Sequence, residues 1–174
     1  ERPVNAYDPQ LGYIRIPANR SVEFYPEGHE ASVRQDTEGF RIPVDAPSDA
    51  PQTPADSGPL ILALGDSFTF GTGCLAEEAY PYLMARNLGG TVRNAGVGGY
   101  GLAQMLLRGR DLIPQYRPQY VLVQYSPWLV TRALLPVRTT ISTHHIAVPY
   151  FARNNDGALL VVPPAFSTHY FELP

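Results

Sequence analysis

The 174-residue sequence contains no lysine; all 13 of its basic side chains are arginines. This excludes Schiff-base chemistry on a lysine amine and the phosphate-gripping lysine of a P-loop. One cysteine, Cys74, leaves no intramolecular disulfide to form. Of the four histidines only His144 and His145 are neighbours, so the spaced ligand set of a structural zinc site is missing. No apolar run approaches the roughly 18 to 20 residues of a membrane-spanning helix, and the first residues lack the basic-then-apolar pattern of a signal peptide. The arginines are scattered and the formal net charge is -3, so nucleic acid is not an expected partner. The first residue is Glu1 rather than Met, from which we expect processing or excision from a longer product.

What is there is the composition of a folded domain. Hydrophobic residues make up 44% and charged residues 17%, too apolar for a disordered chain and enough for one packed core. Residues 1–42 hold short alternating pieces, 13–16 and 21–25, that read as small strands of an N-terminal β arm. Residues 43–59 carry Pro43, Pro47, Pro51, Pro54 and Pro59, which withhold backbone donors and fix φ; the stretch reads as a semi-rigid linker.

From residue 60 the pattern alternates between β and α. The run 60–64, Leu-Ile-Leu-Ala-Leu, is expected of a strand buried on both faces of a parallel sheet. A helix is predicted over 77–88, starting at acids and Pro81 and stopping at Gly89-Gly90. Strand 91–94, a helix from Leu102 to Ile113 and strand 120–125 follow, and two βαβ units in a row imply a parallel, doubly wound sheet. Apolar runs 146–151 and 158–162 flank Asn154-Asn155-Asp156-Gly157 and predict a hairpin. Three parallel strands fall short of the usual five or six of an open sheet, so the 60–174 domain is expected to continue beyond Pro174.

Two glycine-containing turns follow predicted strands. Ser67 lies in Gly65-Asp66-Ser67-Phe68-Thr69, at a strand's carboxyl end, where open α/β sheets gather reactive groups. Its hydroxyl can serve as nucleophile and its amide as oxyanion donor; the competing reading is Asp66 or Ser67 as a helix N-cap. Thr69 in place of glycine rules out the G-x-S-x-G elbow. Asn94-Ala95-Gly96-Val97-Gly98-Gly99-Tyr100-Gly101 satisfies G-x-G-x-x-G, but the next strand ends in Gln124-Tyr125 rather than an acid, which counts against a dinucleotide. No cofactor or metal is called for. Tyr100 and Tyr125, at strand ends, could line a cleft.

Together, LILALGDSFTFG and VRNAGVGGYGLAQ followed by YRPQYVLVQY resemble the SGNH or GDSL hydrolases over about residues 60 to 130. The arm is similar in style to the leaders of exported or membrane-tethered bacterial members. The resemblance implies a three-layer α/β/α fold and a serine esterase acting on acyl esters, carbohydrate O-acetyl groups among them. It makes Ser67 the nucleophile and an oxyanion amide, and Gly99 the second oxyanion amide. Two blocks depart from the pattern. Where G-x-N-D is due, Trp128 stands in place of the oxyanion asparagine, and no aspartate is followed three residues later by histidine. The base is then expected beyond Pro174, or is His144, His145 or His169; otherwise the chain is an inactive binding or assembly domain. Asp66 is read as ordering the Ser67 turn and Trp128 as a supporting residue. Oligomeric state is left open.

Overall fold

The computed structural model describes residues 4–24, 28–47, 58–139 and 145–165. Near the N-terminus β1 (Asn5–Asp8) and β2 (Gly12–Arg15) form an antiparallel hairpin, whose turn is held by Asp8 Oδ1 accepting the amides of Gln10 and Leu11. Then come β3 (Arg20–Phe24), β4 (Glu30–Gln35) and β5 (Arg41–Ile42). The α/β region follows as β6 (Leu60–Leu64), α1 (Ser67–Phe70), a 3-10 turn (Ala76–Glu78), α2 (Tyr80–Asn87), β7 (Thr91–Asn94), α3 (Leu102–Tyr116), β8 (Tyr120–Val123) and α4 (Pro127–Ala133). Two small pairs close the described chain: β9 (Val137–Thr139) with β10 (His145–Ala147), and β11 (Tyr150–Arg153) with β12 (Leu159–Val162).

Strands β3 to β8 form one six-stranded sheet in the order β3-β4-β5-β7-β6-β8. The expected parallel core is present, with β6 pairing in parallel with both β7 and β8. The expectation of an all-parallel sheet is corrected: β3, β4 and β5 continue it antiparallel, joined to β7 through Arg41 opposite Asn94. Runs as short as Arg41–Ile42 carry too little periodicity to be read as strands, so the arm's role in the sheet had no local signature.

The register of β6 divides the core. Ile61 and Ala63 pack with Val92 and with Ala85 of α2. Leu62 and Leu64, pointing the other way by the twofold alternation of a strand, pack with Met105 and Leu112 of α3 and Leu129 of α4. Helices α2 and α3 thus lie on opposite faces. Right-handed crossovers require this when β7 and β8 flank β6 on opposite sides. Helix α3 ends before Pro118, with Arg117 as a left-handed C-cap. At the far edge, β8 leaves Tyr120, Val121 and Val123 exposed, unlike the two-face burial of β6.

The Asp-Gly hairpin is present, but its first arm is 150–153 rather than 146–151. Pro149 separates β10, which pairs with β9, from β11. The proline-rich stretch is described only to residue 47 and from 58 onward. We expect Leu62→Ala, at a fully buried position in the central strand, to lower unfolding stability by about 2 to 5 kcal/mol in urea titration. Leu106→Ala, on the exposed side of α3, should stay within about 0.5 kcal/mol.

Candidate active site

The chain leaves β6 towards α2 on one face and leaves β7 towards α3 on the other. Between the carboxyl ends of two such neighbouring strands a crevice must open, because their connections diverge. The loop from Gly65 to Gly71, with Ser67 in it, and the loop from Ala95 to Gly101 meet there.

Asp66 organises the first loop. It is fully buried, and its Oδ1 accepts the amide of Phe68 at 3.0 Å, capping the short helix that begins at Ser67. Its Oδ2 accepts Trp128 Nε1 at 3.1 Å and Arg132 Nη1 at 2.7 Å. Trp128 and Arg132 are four residues apart on α4, so one helix face presents both donors. Burial alone would push the Asp66 carboxyl up, but the Phe68 amide, the indole, Gln124 and Arg132 together outweigh it and hold it below the ordinary carboxylate range. Gln124 adds a second brace: its Oε1 accepts the Asp66 amide at 3.1 Å and Thr69 Oγ1 at 2.8 Å. Thr69 Oγ1 then accepts from Tyr80 at 2.8 Å, whose hydroxyl burial keeps protonated.

The second loop is laced to the first. Asn94 Nδ2 donates to Thr69 O at 2.7 Å while its Oδ1 accepts the Gly96 amide at 3.0 Å, and the Val97 amide reaches Gly65 O at 3.1 Å. A Cβ on Gly96 would stand 2.5 Å from the Phe70 nitrogen, so only glycine lets the two backbones approach this closely. Gly99 has φ +85°, and a Cβ there would stand 2.7 Å from the Tyr13 hydroxyl. Tyr13 comes from the N-terminal hairpin. Its hydroxyl donates to Gly98 O at 2.9 Å, its ring meets Tyr100 edge-on at 5.4 Å, and burial pushes its pKa up to about 12 against the charges of Arg138, Arg132 and Arg15.

The structure therefore brings Asp66, Ser67 and Trp128 into one cluster and sets Gly99 in the adjoining loop. Ser67 is half-buried, and its hydroxyl makes no hydrogen bond among the described residues. The Trp128 N–H, the only donor of an indole, is engaged by Asp66. His145 is exposed on β10, and His144 and His169 lie outside the described residues. Tyr100 does not line a cleft: it is buried, with its hydroxyl donating to Tyr13 O at 2.8 Å. Sequence reasoning missed Arg132, Thr69, Tyr13 and Arg138. The four-residue spacing of Trp128 and Arg132 was a signal available for one of them; the docking of Tyr13 across 85 residues of chain had none.

No family model matches the chain, and no curated protein matches it. Among solved structures it is similar to AlinE4, an SGNH-hydrolase family esterase, and to a mutant of that esterase, each at 28% identity and a TM-score of 0.39. The match covers 46% of this chain and 46% of theirs, so the chain spans about half the length of AlinE4. A likeness at that TM-score does not carry function, which rests here on the residues themselves.

Two results are expected from variants of this cluster. Arg132→Gln leaves the Asp66 carboxylate buried with one charged donor fewer and should cost about 3 kcal/mol, measured by urea titration at pH 7. Because the Asp66 pKa is depressed on folding, its contribution is present above the unfolded value near 4 and is lost as pH falls through the folded one. The variant should accordingly narrow the stability difference between pH 7 and pH 3. Gly96→Ala should destabilise by about 1 to 3 kcal/mol through overpacking, whereas Gly98→Ala, with open space at its Cβ, should fall within about 0.5 kcal/mol.

Proposed function

We propose that the chain carries the nucleophile half of a serine ester hydrolase site of the SGNH type. The observation that carries this is the position of Ser67: one residue past a buried, ionised aspartate, in the first turn after the central parallel strand, with a hydroxyl that no described residue engages. Ser67 Oγ attacks the acyl carbonyl carbon and its proton passes to a base. The amides of Ser67 and Gly99 receive the resulting oxyanion, the alcohol leaves with a proton, and water then frees the acid from the acyl-serine. Asp66 positions Ser67 through the turn rather than by proton transfer, and Trp128 supports Asp66. The base is a histidine outside the described residues.

The substrate class is an acyl ester, with an O-acetyl group on a carbohydrate as the preferred form. Phe68 and Trp128, exposed at 64% and 42%, hold their rings 5.7 Å apart beside Ser67 and offer an apolar surface for a sugar ring. The arm and residues 60–174 act here as parts of an exported protein. A second reading, an inactive binding or assembly domain on the same fold, is favoured by the indole N–H being held by Asp66, since losing one oxyanion donor costs about 10² to 10³ in kcat. Turnover of 4-nitrophenyl acetate separates the readings. The esterase predicts that the full-length protein, base included, hydrolyses it and that Ser67→Ala lowers the rate by about 10⁶ towards background; rates equal to buffer in that protein would favour the binding domain.

A further inference from the structure

Arg138, on β9, stands beside the Gly98-Gly99 turn: a Cβ on Gly99 would lie 3.6 Å from its Nη2. It makes no hydrogen bond or ion pair among the described residues, and its Nε is buried without a partner. The carboxylate that acts on it is that of Asp66, which Arg132 already occupies at 2.7 Å. Burial, and then the like charge of Arg132, hold the Arg138 pKa below the ordinary guanidinium value. An arginine does not respond by giving up its proton. A half-buried guanidinium that feels the like charge of a second one, offset only by Tyr13 and Asp66, is stabilised when an anion joins it. At the neighbouring Gly98 a Cβ would meet nothing within 4 Å among the described residues, so on their side the turn is open.

We propose that Arg138 is an anion-binding side chain of this site and that, resting on the esterase reading, it selects esters that carry a carboxylate or phosphate group close to the scissile bond. The planar fork of a guanidinium takes either oxyanion in a bidentate pair, replacing the water that burial removed. Recognition would thus come from β9, while the attacking group comes from the loop after β6. The two functions are separable because Arg138 is not in the hydrogen-bond network that orders Ser67.

The test is calorimetric titration of the chain with succinate and, separately, with inorganic phosphate at constant ionic strength. Saturable binding of at least one is expected, weakened tenfold or more in Arg138→Gln, less so in Arg138→Lys, and unchanged in Arg153→Gln at an exposed position of the β11–β12 hairpin. Binding of succinate alone assigns a carboxylate, and of phosphate alone a phosphate. No saturable binding of either, or equal binding by a folded Arg138→Gln, overturns the proposal. In parallel, hydrolysis of 4-nitrophenyl hydrogen succinate should fall at least tenfold more than that of 4-nitrophenyl acetate in Arg138→Gln. An equal fall for both overturns selectivity and makes Arg138 a positioning or oxyanion residue. Binding that depends on Arg138 in a full-length protein that hydrolyses neither ester defeats the esterase reading and leaves the anion site standing.

Discussion

A buried, ionised carboxylate at the end of the central strand sets the terms for this molecule. Asp66 has no contact with solvent, and it remains charged because three donors, the Phe68 amide and the Trp128 and Arg132 side chains of α4, converge on its carboxylate. An isolated carboxylate in that position would be several kcal/mol unfavourable. The loop after β6, the start of α1 and the inner face of α4 are therefore bound to a single geometry. Ser67 inherits its place from that constraint, since the carboxylate that caps α1 also fixes the turn from which the serine projects.

The neighbouring glycine loop depends on the same arrangement. Asn94 spans from β7 to Thr69, Thr69 is tied to Gln124, and Gln124 returns to the Asp66 amide. Hydrogen-bonded networks of this kind are stiff when every member is satisfied. The N-terminal hairpin adds a brace from outside the α/β region: the Tyr13 hydroxyl donates to Gly98 O, and the Tyr100 hydroxyl donates back to Tyr13 O. The β1–β2 hairpin is thereby part of the wall around the second loop. The proposed esterase site would draw on this rigidity, because preorganised dipoles cost no reorganisation during reaction.

The parts of this arrangement that sequence could reveal were those with strong local signals. The continuous apolar run of β6, the glycines that follow it, and the helical spacing in α3 placed the parallel core and both loops. The aspartate was legible as a turn-former because acids at a helix start have a known role. Its partners were not, because Arg132 meets it across 66 residues of chain. The antiparallel extension through β3, β4 and β5 was hidden by strand length: Arg41–Ile42 is a strand only because β4 and β7 lie on either side of it. Trp128 was noticed as a departure from an expected asparagine, while its attachment to Asp66 could be known only once α4 was placed against the sheet. Likewise the break at Pro149 matters only because separate partners await the segments on either side.

In the proposed site this network presents Ser67 as an activatable nucleophile. That role is tested most directly by intact-mass and peptide mass spectrometry of the protein after exposure to a fluorophosphonate probe. One adduct is expected, located on Ser67 and absent from Ser67→Ala. An unmodified mass after prolonged exposure, or an adduct on another residue that persists in Ser67→Ala, would contradict it.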